Sequence, residues 1–242
     1  MNVVANSFAG KIALVTGAGR GIGRAIAMTL AKNGCEICLT ARSLDQLVTV
    51  QSEIQALAGK ANVVQADLTR DDDLHSLVQR CGPVDILINN AGWGKRASVV
   101  RSRVDDWDQT FRLNLRAPMI LAKEFLPAMI KKGEGAVVNI GSVSGKSGEA
   151  NSAAYSASKF GLIGFTQSLF EEVREHGIKV AVILPGFVDT PMIPPVKHLD
   201  RSKMIQADDI AQAVLYVLNT PATACPVEIT IRPQRTPGGN SN

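Results

Sequence analysis

The chain of 242 residues has no concentrated charge and no long apolar run. Its 26 basic and 22 acidic residues are spread along the sequence, whereas a nucleic-acid surface usually has clustered Lys and Arg. No apolar run approaches the ~20 residues that cross a bilayer, and residues 1–10 lack the basic start and apolar stretch of a signal peptide. We therefore expect a cytoplasmic protein that binds neither nucleic acid nor membrane.

Histidine and cysteine are also scarce, with three and four residues respectively. No histidine stands at metal-ligand spacing from a cysteine, so no metal site is expected. Cys35 and Cys38 form a C-x-x-C pair, but in an apparent strand they are about 10 Å apart and face opposite ways. A disulfide between them would require a broken strand, so we expect the cysteines to pack in the core.

The sequence does contain short runs of Val, Ile and Leu that alternate with helix-length segments. Seven such strands separated by helices indicate a parallel sheet covered on both faces. We therefore predict a single doubly wound Rossmann-type α/β domain over residues 1–242, with a short flexible tail from about residue 236. The predicted strands are residues 11–16, 35–40, 62–66, 84–89, 136–142, 178–184 and 226–231.

A glycine-rich turn, T-G-A-G-R-G-I-G over residues 16–23, follows the first predicted strand and leads to a helix expected to begin near Arg24. Glycines let the backbone approach a pyrophosphate, and the N–H groups of a helix N-terminus favour its negative charge. The spacing fits neither G-x-G-x-x-G nor the loop of phosphate-binding NTPases. Alone, the turn is also compatible with a purely structural role.

Tyr155 and Lys159 lie four residues apart, hence on one face of a helix predicted over residues 152–176. An ammonium close to a tyrosine stabilises the phenolate, so Lys159 is expected to make Tyr155 a usable general acid or base. Ser142 ends the fifth predicted strand, where its hydroxyl can hydrogen-bond a substrate oxygen as charge develops on it. A lone Tyr-x-x-x-Lys, however, is common by chance.

The same predicted helix carries apolar residues on more than one face, among them Phe160 and Phe165. A surface helix needs only one apolar stripe. One side is therefore expected to pack on the sheet and another to meet a second subunit, in a homodimer or homotetramer. Burial of the second side under a loop is the alternative.

Taken together, the glycine turn, N-N-A-G at residues 89–92 and Tyr-x-x-x-Lys resemble the short-chain dehydrogenase/reductase family, in its branch of about 250 residues. The resemblance runs from Lys11 to about Ile231. It implies an NAD(P)-dependent oxidoreductase that transfers hydride between a nicotinamide and a carbonyl carbon, with Tyr155 as the acid or base.

The resemblance also implies roles for individual residues. Asn114 would hold a water in a proton relay behind Lys159, and Lys159 would also hold the nicotinamide ribose. In P-G-F-V-D-T at residues 185–190, the Val188 backbone and the Thr190 hydroxyl would hold the carboxamide. The remaining implied contacts are Gly17, Gly21, Ile22 and Gly23 at the pyrophosphate, Asp67 and Leu68 at the adenine, and Asn90 near the adenosine ribose.

The end of the second predicted strand indicates which coenzyme is preferred. Relatives that prefer NAD commonly have Asp at the position of Ala41, and those that prefer NADP commonly have Arg at the position of Arg42. We therefore expect NADP(H) to be preferred, with NAD(H) possible. Arg20 in the glycine turn is a second candidate cation for the phosphate, although NAD-dependent relatives also carry it.

The expected substrate is a small ketone, aldehyde or hydroxy acid. The segment after Thr190 is short and proline-rich, which favours an open cleft, and residues 227–233 depart from the V-D-G-G ending common among 3-oxoacyl-[acyl-carrier-protein] reductases. Those reductases also carry basic residues at the positions of Pro127 and Glu171. Such a reductase stays an alternative, as do a sugar-nucleotide epimerase of the extended branch and a non-catalytic NADP(H)-binding sensor.

Overall fold

Seven parallel strands form one sheet in the computed structural model, which describes residues 7–193 and 199–238. The order across the sheet is β3-β2-β1-β4-β5-β6-β7, and every neighbouring pair is parallel. The strands are β1 (Ile12–Thr16), β2 (Glu36–Ala41), β3 (Ala61–Gln65), β4 (Ile86–Asn89), β5 (Gly135–Ile140), β6 (Ile178–Pro185) and β7 (Glu228–Ile231). The predicted doubly wound fold is confirmed, with strand ends that differ by up to two residues.

Helices cover both faces of the sheet. The helices are α1 (Gly21–Lys32), α2 (Leu44–Ala56), α3 (Asp71–Cys81), α4 (Val104–Phe111), α5 (Ala117–Lys132), α6 (Ala153–Val173) and α7 (Ala207–Asn219). Side chains of α1, α2 and α7 share one apolar cluster, and those of α3, α5 and α6 share another. Within β1, Ala13 and Val15 belong to the first cluster and Leu14 to the second, as expected for a strand buried on both faces.

The direction in which the chain adds strands reverses between β1 and β4. After β1 the chain places β2 and β3 on one side, and β4 to β7 then follow on the other side. The loops after β1 and β4 therefore diverge at the carboxyl edge of the sheet. This is where open α/β sheets leave a crevice for a ligand.

The loop after β4 is tied to the end of β1 by hydrogen bonds. The Thr16 hydroxyl accepts the backbone N–H groups of Asn90 and Ala91 at 2.9 Å each and donates to the Ile88 carbonyl at 3.2 Å. The Asn90 amide donates to the Thr16 carbonyl at 2.8 Å. The two motifs that the sequence placed at separate strand ends thus form one structural unit.

One disulfide joins β2 to the last residue of α3, between Cys38 and Cys81. The prediction that the cysteines only pack in the core is wrong for this pair, although Cys35 and Cys38 are indeed not bonded to each other. The partners are 43 residues apart, and they meet because α3 returns beside the strand that Cys38 occupies. Local spacing carries no signal of such a contact.

Two residues near the C-terminal limit of the described chain pair with an earlier segment. The Asp200 N–H donates to the Pro237 carbonyl at 2.7 Å, and Leu199 forms an antiparallel bridge with Gly238. Pro237 and Gly238 are thus paired, whereas we predicted a flexible tail from about residue 236. Part of the short, proline-rich segment from which we predicted an open cleft, residues 194–198, lies outside the described residues. None of the helices in the described ranges is long and apolar enough to cross a membrane.

Candidate active site

A cavity of about 890 Å³ runs along the carboxyl edge of the sheet. Arg42 just after β2, Tyr155 on α6, and Leu199 and Gly238 all line it. The structure brings almost all of the predicted site residues to this one cavity. The predicted residues that line it are Gly17, Arg20, Gly21, Ile22, Arg42, Asp67, Leu68, Asn90, Ser142, Tyr155, Lys159, Val188 and Thr190.

The glycine turn leads directly into α1, which begins at Gly21, three residues before the predicted start at Arg24. Gly17 and Gly21 have φ of +64° and +54°, a region that other residues rarely adopt. Gly23 is not among the residues that line the cavity. A Cβ on it would lie 2.2 Å from the Gly17 carbonyl oxygen, so only glycine fits at this position. Its role is to let the first turn of α1 pack against the glycine turn.

Two exposed cations stand at the β2 end of the cavity, Arg20 and Arg42. The Gln65 amide donates to the Arg42 carbonyl at 2.7 Å, which fixes the backbone where β2 ends. On the neighbouring loop, Asp67 accepts hydrogen bonds from the N–H and the hydroxyl of Thr69 at 3.0 and 2.8 Å. The cavity is therefore lined by two arginines and by the carboxylate of Asp67, which Thr69 holds in one orientation.

Lys159 is buried, with 4% of its surface exposed, and its ammonium donates to the Ile140 carbonyl at 2.8 Å. Burial disfavours the charged form and lowers the pKa of Lys159 from 10.5 to about 8. The side chain belongs to α6, and the carbonyl that holds it is the last of β5. Lys159 thus connects the helix that carries Tyr155 to the edge of the sheet.

Tyr155 lies above this lysine, with the Lys159 Nζ 5.8 Å from the centre of the phenol ring. Burial raises the pKa of Tyr155, a hydrogen bond with Ser142 lowers it, and the negative charge of Glu149 raises it. We predicted that Lys159 would lower this pKa, but in the structure burial outweighs the favourable contacts. The lysine is bonded to the Ile140 carbonyl and does not contact the phenol oxygen directly.

Ser142 stands two residues beyond β5 and caps a short 3₁₀ turn. Its hydroxyl oxygen accepts the Ser144 N–H at 3.1 Å, so its position is fixed while it contacts Tyr155. The predicted strand ran to Ser142, but β5 ends at Ile140. The two extra residues bring Ser142 into the cavity beside the phenol.

Asn114 lies behind the cavity surface, buried in a π-helical turn between α4 and α5. Such turns are found frequently at functional sites. Its amide donates to the Trp93 carbonyl at 2.8 Å and to the Ser158 hydroxyl at 3.0 Å. A Cβ placed on Gly92 would lie 3.6 Å from Asn114 Oδ1 and 3.7 Å from Lys159 Nζ, so both polar groups flank the space beside this glycine.

The segment after β6 presents backbone groups to the cavity. Val188 forms a parallel bridge with Ile205, in which the Phe187 carbonyl and the Asp189 N–H are the bonded groups. In such a bridge the N–H and C=O of the central residue point away from the partner segment, and Val188 is among the residues that line the cavity. Thr190 lies beside the glycine turn, with its methyl carbon 3.2 Å from a Cβ placed on Gly21.

Sequence reasoning missed two residues next to the phenol. A Cβ on Gly94 would lie 2.6 Å from the Tyr155 ring, so only glycine permits the observed ring position. Glu149 lines the cavity, accepts the Ser144 hydroxyl at 3.1 Å and pairs with Arg96 at 3.4 Å. Gly94 follows N-N-A-G by two residues, which was a usable signal, whereas Glu149 lies in an irregular loop that carries none.

The comparison with known families agrees with this site. The family model described as short chain dehydrogenase matches residues 11–200, and the chain belongs to this oxidoreductase family.

Individual relatives share almost the whole length of the chain. An uncharacterized oxidoreductase of Staphylococcus aureus strain MRSA252 is 38% identical, over 92% of this chain and 97% of the relative. A solved metagenomic short-chain oxidoreductase in complex with NADP is 35% identical with a TM-score of 0.83, over 95% and 100% of the two chains. A 3-oxoacyl-[acyl-carrier protein] reductase from Brucella melitensis with bound NAD is 26% identical with a TM-score of 0.86, over 94% and 92%.

Replacing Glu149 with Gln is expected to lower the pKa of Tyr155. The carboxylate disfavours the phenolate, and the amide removes that charge while keeping the shape. The chain has only two tyrosines, so in a Tyr216→Phe background the phenolate absorbance reports Tyr155 alone. The ultraviolet titration should then move to lower pH in Glu149→Gln. Glu172→Gln, at an exposed site late in α6, is the control and should leave the titration in place; an unmoved Tyr155 titration in Glu149→Gln would show that Glu149 does not act on the phenol.

Proposed function

We propose that this protein is an NADP(H)-dependent carbonyl reductase, or alcohol dehydrogenase in reverse, for a small ketone, aldehyde or hydroxy acid. One observation carries the proposal: Tyr155, Ser142 and Lys159 line the same cavity as Arg42. A proton donor for a carbonyl oxygen and a cation for a coenzyme phosphate thus share one continuous cleft. NADP in a metagenomic relative that is 35% identical supports the coenzyme choice.

The residues at the cleft fit a dinucleotide. A Cβ on Gly19 would lie 2.9 Å from the Gln46 side chain, so glycine suits this close approach, and α1 begins within the turn at Gly21. Backbone N–H groups at a helix N-terminus suit a pyrophosphate. We assign Gly17, Gly21 and Ile22 to this part, with Gly23 supporting the turn from behind. The predicted contacts of Asp67 and Leu68 with the adenine, and of Asn90 near the ribose, belong to the same proposal.

Tyr155 carries the proton in the proposed reaction. When bound, the coenzyme supplies or accepts the hydride at the carbonyl carbon. In reduction the phenol of Tyr155 gives its proton to the carbonyl oxygen, and Ser142 donates a hydrogen bond to that oxygen as negative charge develops on it. Lys159 and Asn114 flank the space beside Gly92, where a water relay would return a proton to Tyr155. Val188 and Thr190 orient the carboxamide.

A free small substrate is favoured over a carrier-linked one. Glu171, where carrier-protein reductases commonly have a basic residue, is exposed on α6 and pairs with Arg174 at 3.2 Å. A carboxylate on that surface would repel an acidic carrier protein. The 26% identity to a Brucella melitensis 3-oxoacyl-[acyl-carrier protein] reductase keeps that activity as the alternative to test.

A panel of small aldehydes, ketones and hydroxy acids, assayed with NADPH and NADH by nicotinamide absorbance, tests the proposal. We expect turnover of at least one free carbonyl compound with NADPH. Carrier-linked 3-oxoacyl substrate that is used at least tenfold more efficiently than its small thioester analogue would favour the alternative instead. Coenzyme binding with no turnover of any compound would favour a nicotinamide-binding sensor.

A second copy of the chain is the proposed partner. Phe111 on α4, Met119 on α5 and Phe160 on α6 are exposed by 38, 44 and 46%. Phe160 is thus not buried under a loop of the described residues, which was the alternative. Large apolar side chains on neighbouring helices suit a subunit interface. Analytical ultracentrifugation should show a dimer or tetramer, and a monomer at micromolar concentration would contradict this.

Tyr155→Phe is expected to lower kcat at least ~100-fold while NADPH affinity stays within about twofold, because it deletes a proton donor and little volume. Initial rates with the best substrate and NADPH fluorescence titration measure the two quantities. Tyr216→Phe is the matched control, since Tyr216 is 62% exposed on α7. Retention of more than about a tenth of wild-type turnover in Tyr155→Phe would show that another group is the general acid.

Arg42→Ala is expected to weaken NADPH binding at least ~tenfold, about 1.4 kcal/mol, and to leave NADH almost unchanged. The reason is that only NADPH carries the 2′-phosphate that a cation would contact. Ala41→Asp should push preference toward NADH by repelling that phosphate. Arg80→Ala, an exposed cation at the end of α3, is the control. Equal loss of both coenzymes in Arg42→Ala would show that this strand end does not select between them.

A further inference from the structure

The Cys38–Cys81 disulfide ties the strand that leads to Arg42 to the end of α3. Cys38 lies within β2, three residues before the last residue of that strand, Ala41. Both Ala41 and Arg42 line the cavity. The covalent bond therefore joins α3 to the strand that positions two residues of the cavity wall.

The first turn of α3 holds a different part of the same wall. Asp73 accepts the backbone N–H of Asp67 at 2.7 Å, and both Asp67 and Leu68 line the cavity. The side chain of Leu68 packs in the same apolar cluster as Cys38 and Leu74. α3 thus supports the cavity wall at its first turn, while its last residue is bonded to β2.

The last turn of α3 is poorly anchored apart from this bond. All eleven residues of α3 are described, and two of them are buried, Leu74 and Leu77. The four residues that follow, Val78 to Cys81, are half-buried or exposed. Little apolar burial therefore holds this end of the helix against the sheet, and the disulfide is its firmest attachment.

An ion pair also holds the start of α3, between Asp71 and Arg116. Both side chains are about half exposed, and exposed ion pairs contribute little to stability. Loss of the disulfide would therefore leave α3 with two buried leucines and an exposed ion pair as anchors. Because a helix is a stiff element, freedom gained at its last turn would also loosen the contact of Asp73 with the cavity wall.

The disulfide is accessible to a small thiol from the Cys81 side. Cys81 is half-buried, whereas Cys38 is only 3% exposed. A Cβ placed on Gly82 would meet nothing within 4 Å among the described residues, so there is open space next to Cys81. An incoming sulfur would therefore attack Cys81, and Cys38 would be the leaving group.

The exchange needs a low-molecular-weight thiol as the reductant. Its thiolate attacks the Cys81 sulfur, the bond between the two cysteines breaks, and the Cys38 sulfur leaves as a thiolate that takes up a proton. A second thiol molecule displaces the first from Cys81 and forms a low-molecular-weight disulfide with it, and the Cys81 sulfur takes up a proton in turn. The protein gains two electrons and two protons, and two small thiols are oxidised. A low-molecular-weight disulfide reverses the sequence.

We propose that Cys38 and Cys81 form a redox site that controls coenzyme affinity, in which the oxidised protein binds NADP(H) more tightly than the reduced protein. This inference rests on the proposed coenzyme site. Disulfides in reducing surroundings are usually transient, catalytic or redox-sensing. The free thiols Cys35 and Cys225 are not part of the site, and burial raises the pKa of Cys35 to about 12, which keeps that thiol protonated and unreactive.

Thiol counting and coenzyme titration of the two forms test the proposal. Wild-type protein equilibrated with oxidised dithiothreitol and then unfolded should show two free thiols, and four after reduced dithiothreitol, because Cys35 and Cys225 are free in both forms. NADPH fluorescence titration should show at least ~5-fold weaker binding to the reduced native protein. Cys81→Ser should bind NADPH as weakly as reduced wild type in both buffers. Cys225→Ser, at another half-buried cysteine, is the control and should keep the full response.

Hydrogen exchange of a peptide covering residues 66–70 supplies a readout that needs no coenzyme. Reduction should speed exchange there, because the Asp67 N–H loses its firm contact with Asp73. Four free thiols in the oxidised protein, equal NADPH affinity of the two wild-type forms, or unchanged exchange would overturn the proposal, whether or not Cys81→Ser folds. Failure of both forms to bind NADPH would instead overturn the proposed function, and the thiol count and the exchange would still decide whether this disulfide controls the cavity wall.

Discussion

The hydrogen bond from the buried Lys159 ammonium to the Ile140 carbonyl is the contact around which the site is built. An ammonium inside a protein is costly unless it is hydrogen-bonded, and here the last carbonyl of β5 supplies that bond. Since burial lowers the pKa of Lys159 from 10.5 to about 8, its charge destabilises the folded state fully below pH 8. The destabilisation is relieved as the pH rises from about 8 to 10.5. A packing-only role would be served better by an apolar side chain.

The same burial sets the protonation state of Tyr155. With its pKa raised by burial and by Glu149, the phenol keeps its proton at neutral pH, which is the form that donates to a carbonyl oxygen. Oxidation of an alcohol requires the phenolate, and the protein residues alone do not favour that form. Positive charge on the bound nicotinamide in the oxidising direction would favour it. Whether Tyr155 is protonated would thus depend both on the surrounding protein residues and on the charge of the bound nicotinamide.

The sequence was enough to predict the sheet and most of the cleft, because in a parallel sheet all carboxyl strand ends meet at one edge. Residues that follow different strands, such as Gly17, Ser142 and Thr190, therefore had to converge whatever their separation along the chain. Contacts between distant segments were beyond such reasoning. The Cys38–Cys81 disulfide and the pairing of Pro237 with Asp200 depend on how helices and loops return to the sheet. Likewise, the effect of burial on Tyr155 follows from the three-dimensional surroundings, whereas the four-residue spacing from Lys159 suggested the opposite shift.

The contact between Gly94 and the Tyr155 ring couples the loop after β4 to the first turn of α6, which lies far along the chain. A Cβ added at Gly94 would lie 2.6 Å from the Tyr155 ring, so the loop after β4 cannot carry a larger residue here without moving the phenol. The same loop supplies Gly92, and its Trp93 backbone donates one hydrogen bond to the Asn114 side-chain oxygen and accepts another from the Asn114 amide. Chimeric enzymes that exchange this loop between relatives should therefore keep the small residue, or transplant the beginning of α6 along with it.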